Sequence, residues 1–243
     1  MNFGKAYAIF RRDFGTYFNS PIAYVVVAVY LVVSGGLFWP SFFDPQGLGE
    51  ASLRPFFAMA PFFFAVFVPA ITMRLLAEEK RSGTIQLLAT LPVRDLEVVF
   101  GKFLAAMGLI GTALLLTLPW ARTVESVGDP DWGPIWGGYI GLMLMCGAYV
   151  AIGMLASALT ENQIVAFILG FVICFGFFLM GKVVELVPDA LVPLVEMISF
   201  DHHFQNIARG VVDSRNVIYY LSVTALCLAG AMQALERRKW ATA

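Results

Sequence analysis

The chain has 243 residues, of which 59% are hydrophobic and 14% are charged, and its formal net charge is −1. Soluble globular domains carry about 25% charged residues and about 45–50% apolar residues, so this composition excludes a soluble globular protein and a disordered chain. The near-zero net charge also excludes a nucleic-acid-binding protein, and we therefore predict an integral membrane protein.

The N-terminal segment, residues 1–19, is predicted to be an amphipathic helix that lies in the membrane interface. Its aromatic residues recur at spacings of four, three, four and three, which places them on one helical face. Such a helix acts either as a general membrane anchor or as an elbow that touches a cytoplasmic partner. The aromatic residues are Phe3, Tyr7, Phe10, Phe14 and Tyr17.

Charged residues leave six charge-free intervals of 19 to 30 residues in the remainder of the chain. A helix needs about 20 apolar residues to cross a bilayer, so the pattern predicts a single all-α domain with six transmembrane helices. The fourth and fifth spans are separated at Glu161, the only charged residue within 132–181, where we expect a tight turn. We place the spans at residues 21–43, 55–73, 103–121, 135–159, 162–181 and 216–235.

The connection between the second and third spans, residues 74–102, is much longer than a simple turn requires. It begins with mixed charge, continues through Ser82-Gly83-Thr84, and then contains a short apolar stretch at 85–90 that ends near Pro92. Apolar side chains in a charged loop indicate a docking surface. The alternative is that they pack beneath the helix bundle.

The segment before the last span, residues 182–215, is half apolar and predicts two short helices that dip into the outer leaflet. Phe200, Phe204, Ile207 and Val211 repeat at spacings of four, three and four. Such a re-entrant hairpin either gates an exit path or caps the bundle.

Basic residues set the orientation of the bundle. Eleven Lys and Arg residues lie on the side of the N-terminus, and five lie on the opposite side. The positive-inside rule therefore predicts that both termini are cytoplasmic.

No catalytic or metal site is expected. The only two histidines, His202 and His203, are adjacent, and the three cysteines are far apart in apolar stretches. Residues 176–182 read as the GxxxxGK frame of a phosphate-binding loop, but Val183 follows and the segment ends a predicted membrane helix, where such a loop does not form. We therefore expect a protein that is not itself an enzyme.

The long second loop and the six-span plan together resemble the permease subunits of ABC transporters of the type 2 exporter class. In that family the second loop forms a coupling helix that docks on the ATPase. The matching positions here are Glu79, Gly83, Thr84, Leu88 and Pro92, with Leu87 a further apolar contact, and Gln86 stands where the family often has Glu. The resemblance implies the ATPase-coupling residues Glu78, Glu79, Gly83, Thr84, Gln86, Leu87, Leu88 and Pro92.

Residues 199–215 and the following Val-Ile-Tyr-Tyr-Leu resemble the gliding-motility-associated (GldF group) permeases. The resemblance implies a bacterial inner-membrane protein, a cytoplasmic ATPase dimer that binds ATP and Mg, a second or related permease, and a periplasmic companion protein. If the hairpin at 182–215 acts as a gate or contacts a partner, we expect Phe200, Phe204, Ile207 and Arg209 to make those contacts.

Three functions follow as hypotheses. The leading one is the membrane subunit of an ATP-driven exporter, with no cofactor in this chain. The second is a mechanotransmission subunit that relays the ATPase stroke to a periplasmic partner without moving cargo. The third, a passive channel or scaffold, does not account for the elaborate second loop.

Overall fold

The computed structural model describes residues 3–43, 52–83, 94–184, 187–211 and 213–241, and all regular elements in these ranges are helices. The α-helices are α1 (Phe3–Asn19), α2 (Pro21–Phe42), α3 (Arg54–Thr72), α4 (Ala77–Arg81), α5 (Asp95–Leu115), α6 (Leu118–Val127), α7 (Trp132–Leu159), α8 (Gln163–Val183), α9 (Val192–Ile198), α10 (Phe200–Ala208) and α11 (Ser214–Ala241).

Within the described ranges, six helical segments are long and apolar enough to cross a membrane, which confirms the predicted number of spans. α7 and α8 are separate helices, because Asn162 caps the second of them: its side-chain oxygen accepts a hydrogen bond from the Ile164 N–H at 2.9 Å. The segments are Ala23–Pro40, Arg54–Arg81, Asp95–Val127, Trp132–Leu159, Gln163–Val183 and Ser214–Glu236.

The third of these segments begins earlier than the charge-free interval suggests. α5 begins at Asp95, where the Glu97 carboxylate accepts a hydrogen bond from the Arg94 N–H at 3.2 Å and so caps the helix start. The helix continues through the buried Lys102. It is interrupted after Leu115, and α6 then begins with a proline in its first turn. The span predicted at 103–121 therefore lies within a longer helical segment, and its own bounds stay a prediction.

α7 is the central helix of the bundle, and its glycines allow neighbouring helices to approach closely. A Cβ atom on Gly153 would lie 2.0 Å from Thr72 Oγ1 of α3, and one on Gly138 would lie 2.5 Å from the Phe57 ring. At these glycines, side chains of α3 therefore lie directly against the backbone of α7.

α10 packs antiparallel along α7. Gly141 lies beside Phe204, and a Cβ atom on Gly137 would lie 2.4 Å from the carbonyl oxygen of Ile207. The ring of Phe200 at the start of α10 lies 5.2 Å from the ring of Tyr149. Gly137 and Gly141, which are four residues apart on α7, thus form the surface on which α10 packs.

Candidate functional site

The expected ATPase-coupling residues fall into two groups. Thr84, Gln86, Leu87, Leu88 and Pro92 lie outside the described residues, so their assignment stays a prediction. The others lie on α4 and immediately after it. Glu78 is exposed, the Glu79 side chain is 18% exposed, and Gly83 is exposed.

Gly83 adopts a left-handed backbone conformation, with a φ of +73°. Nothing lies within 4 Å of the position that a Cβ atom would take. The glycine is therefore required by the backbone angle and not by a lack of space. It lets the chain turn out of α4 into residues 84–93.

The end of α7 caps the start of α4. The buried Ser157 hydroxyl accepts hydrogen bonds from the N–H groups of Leu76 (3.1 Å) and Ala77 (2.9 Å), and it donates to the Met73 carbonyl oxygen at 3.0 Å. Lys80 also donates from Nζ to the carbonyl oxygen of Ala158. Four contacts therefore attach the α3–α4 corner to the end of α7.

A group of four charged side chains, which we call the junction cluster, also contacts α4. It consists of Arg12, Asp13, Glu79 and Lys102. Lys102 Nζ lies 2.9 Å from Asp13 Oδ2 and 2.7 Å from Glu79 Oε1, and its side chain is only 5% exposed. Arg12, which is half exposed, lies 2.7 Å from Asp13 and 3.6 Å from Glu79. Two cations and two carboxylates thus neutralise each other where α1, α4 and α5 meet.

The cluster keeps Asp13 ionised. Burial acts to raise the pKa of Asp13, but Lys102 and Arg12 together hold that pKa below its ordinary value. The hydrogen bond with Asp13 is the main reason why the pKa of Arg12 is raised. Both groups therefore stay charged at neutral pH.

Two glycines of α5 bring α1 close enough to supply Asp13. A Cβ atom on Gly101 would lie 2.8 Å from Ile9 and 2.9 Å from the carbonyl oxygen of Ala6. A Cβ atom on Gly108 would lie 2.9 Å from the Phe14 ring. The two glycines are seven residues apart and so share one helix face. α1 therefore packs along α5 and is not separated from the bundle.

Sequence reasoning did not select Arg12, Asp13, Lys102 or Ser157 as site residues. A signal was present in Gly101-Lys102 and Gly108, since small residues at heptad spacing beside a lysine indicate a close helix that carries a counter-charge. The Ser157 cap has no such signal, because its partners lie about 80 residues away in the chain.

The expected gate or partner residues of segment 182–215 are placed differently from one another. Phe200, Phe204 and Ile207 are 0%, 1% and 0% exposed, because they pack against neighbouring helices of this chain. Arg209 is exposed. The three apolar side chains are therefore buried inside the helix bundle, and of the four residues Arg209 alone is exposed.

Polar contacts also hold α10 in place. The buried Asp201 accepts a hydrogen bond from Gln205 at 2.9 Å and forms an ion pair with Lys182 at 3.0 Å. The Tyr220 hydroxyl donates to the Phe200 carbonyl oxygen at 2.7 Å. α10 is therefore bonded to α8 and to α11.

The two histidines bridge the short helices. His203 lies 2.7 Å from Asn216 and 3.1 Å from the Met197 carbonyl oxygen, and His202 lies 3.8 Å from Glu196. Within the described ranges, no group of three or more His, Cys, Asp or Glu side chains is arranged to hold a metal ion.

A family model described as an ABC-2 family transporter protein matches residues 19–232, which is most of the chain. No curated protein matches the chain.

Proposed function

Because the chain belongs to the ABC-2 transporter family, we propose that it is the permease subunit of an ATP-driven exporter in a bacterial inner membrane. A separate cytoplasmic ATPase dimer binds ATP and Mg, and a second or related permease completes the pathway. Both termini are cytoplasmic in this proposal, as the excess of basic residues on that side supports. Membership of the gliding-motility-associated group stays a prediction.

The junction around α4 is proposed to couple ATP hydrolysis to the membrane helices. Closure of the ATPases displaces residues 84–93, which follow α4 directly. α4 passes this displacement to α7 through Ser157 and Lys80, while the Glu79–Lys102 ion pair attaches α4 to α5 in the resting state. The observation that carries the proposal is this double attachment of α4 immediately before the predicted coupling helix.

α1 is proposed to lie in the headgroup layer on the cytoplasmic side. Phe3 and Tyr7 are 73% and 62% exposed. A ladder of aromatic rings runs along the helix, with centroid separations of 5.8 Å (Tyr7 to Phe10), 5.4 Å (Phe10 to Phe14) and 4.9 Å (Phe14 to Phe18). Exposed aromatic rings on a helix next to a span are typical of the membrane interface.

The α9–α10 segment is proposed to re-enter the outer leaflet. Its tip contacts Tyr149, which lies about 25 Å along α7 from Trp132 at 1.5 Å per residue. The remaining length of α7 is about 15 Å, which is half of a hydrocarbon core about 30 Å thick. The tip therefore lies inside the core when Leu159 lies at the inner boundary.

The test is co-purification of the permease with the ATPase encoded beside it, in lipid nanodiscs, for the wild type and Gly83→Val. We expect a complex of two permeases and two ATPases for the wild type, and a several-fold lower ATPase rate for G83V, because a left-handed φ is strained for valine. Gly176→Val is the matched control, because Gly176 also has open surroundings but lies within α8. A wild-type permease that binds no ATPase, or a G83V complex with the rate of the wild type, would contradict the proposal.

Mechanotransmission is the second candidate, and the exposed apolar side of α9 favours it. Leu191, Leu194 and Met197 are 52%, 60% and 73% exposed. Photocrosslinking from Met197 and Arg209 to a periplasmic protein supports this role, with the buried Phe204 as the negative control. Stimulation of the ATPase by an amphipathic cargo supports export instead.

A further inference from the structure

Lys102 is a buried cation with two carboxylate partners that belong to different elements. Asp13 on α1 lies 2.9 Å from its Nζ, and Glu79 on α4 lies 2.7 Å from it. One carboxylate is sufficient to neutralise the lysine charge. Arg12, whose side chain is 51% exposed, lies against both carboxylates and balances the second negative charge.

The two carboxylates are attached to different parts of the bundle. Asp13 is attached to α5, because α1 packs on α5 at the glycine positions 101 and 108. Glu79 is attached to α7, because Ser157 and Lys80 bind α4 to the end of α7. The Glu79–Lys102 pair therefore joins these two parts across the junction.

We propose that Asp13 is a holding counter-ion, which keeps Lys102 neutralised while Glu79 moves away with α4. This inference rests on the proposed coupling function and deepens it, since it names the group that lowers the free-energy cost of moving α4. Removing one partner of a buried ion pair leaves an uncompensated charge, which is strongly unfavourable. With Asp13 in place, Lys102 keeps one carboxylate partner both before and after the proposed displacement of α4.

Asp13 suits this role because it remains ionised. Its neighbours Lys102 and Arg12 hold the pKa of Asp13 below the ordinary value despite its burial. Asp13 is therefore a positioning residue for the coupling step, and it acts through Lys102.

The charge-sharing is tested on the purified permease alone, by thermal unfolding in nanodiscs. We compare Asp13→Asn, Glu79→Gln, the double variant, and the triple variant that also carries Lys102→Met. Each single variant leaves Lys102 one carboxylate, so its unfolding temperature should fall only slightly. The double variant should lose more than the sum of the single losses, and the triple variant should recover most of that loss. Additive losses, or a triple variant as unstable as the double, would overturn the proposal.

Expression level supplies a second measurement if the double variant does not fold. In that case the triple variant should accumulate in the membrane at close to the wild-type level. A triple variant that is also absent from the membrane would overturn the proposal.

The holding role is tested in the complex with the ATPase. We expect D13N to lower the ATPase rate several-fold, because Lys102 then depends on Glu79 and holds α4 in place, while Asp13→Glu retains most of the rate. A D13N complex as active as the wild type would refute the holding role. A wild-type permease that binds no ATPase refutes the proposed function instead, and the unfolding comparison still decides whether Lys102 shares two counter-ions.

Discussion

The contact between Gly153 of α7 and Thr72 of α3 allows a sharp test of the packing at the junction. A Cβ atom on Gly153 would lie 2.0 Å from Thr72 Oγ1 and 3.0 Å from Thr72 Cβ. Thr72 is fully buried, and its hydroxyl donates to the Val68 carbonyl oxygen at 2.9 Å, so the side chain has little room to turn away. In Gly153→Ala the two helices must therefore separate by about 1 Å to restore ordinary contact, which is overpacking of a buried contact.

Overpacking of this kind costs about 1–3 kcal/mol, partly offset by the gain of about 0.5–1 kcal/mol for replacing a helical glycine by alanine. We expect a lower unfolding temperature for G153A, by about 2–4 °C for each kcal/mol lost in a chain of this size. Ser157 lies one helical turn further along α7, so the variant should also weaken the attachment of α4. Thermal unfolding in nanodiscs measures the first effect, and the ATPase rate of the complex measures the second.

Gly147→Ala is the matched control on the same helix. The nearest atoms to a Cβ at that position lie 3.8 Å away, which is ordinary van der Waals contact. G147A should therefore be as stable as the wild type or slightly more so. Thr72→Gly removes the opposing atoms, so G153A should destabilise the T72G variant less than it destabilises the wild type. The reasoning is refuted if G153A and G147A unfold at the same temperature.

Three further predictions concern single contacts. Because the pKa of Asp13 is lowered in the folded state, the stability that Asp13 contributes is complete at a pH above the ordinary aspartate pKa and is lost as the pH falls through the lower, folded-state pKa. Unfolding measured between pH 6 and pH 3 should show this loss of stability in the wild type and a smaller loss in D13N. Ser157→Ala leaves two buried N–H groups without their acceptor and should cost about 1–3 kcal/mol, seen as faster hydrogen exchange at the start of α4, whereas the exposed Ser222→Ala should change little. Lys182→Met leaves the buried Asp201 carboxylate without its cation and should increase hydrogen exchange in α10, which Lys182→Arg should not do.

The contacts of α10 show where reasoning from the sequence succeeded and where it did not. The four-three spacing of Phe200, Phe204 and Ile207 correctly indicated one apolar helix face. Periodicity does not identify what covers such a face, which can be lipid, a partner or the same chain. In this structure the covering surface is α7 at Gly137 and Gly141, together with the neighbouring helices.

For the junction cluster, the local sequence pattern did not identify the side chains that contact Lys102. A lysine next to an apolar run normally marks the end of a membrane span, so this pattern does not lead one to expect that Lys102 is buried within α5. The carboxylates that allow Lys102 to be buried lie 89 and 23 positions earlier in the chain, on α1 and α4. Their proximity depends on the packing of α1 on α5. The spacing of Gly101 and Gly108 indicates a close helix at this face of α5, but it does not identify α1 as that helix.

The sequence by itself determined that this is an all-helical membrane protein with six spans. The length of each charge-free interval is read from one stretch of the chain, and it can be compared directly with the length that a helix needs to cross the bilayer. The boundary between α7 and α8 could likewise be predicted from nearby residues, because the helix cap Asn162 lies within the turn itself. Only the tertiary structure decided that Lys102 is shared by two carboxylates and that Ser157 caps α4. These contacts join residues far apart in the chain, and their free energy depends on burial and on distances that arise only when the helices pack.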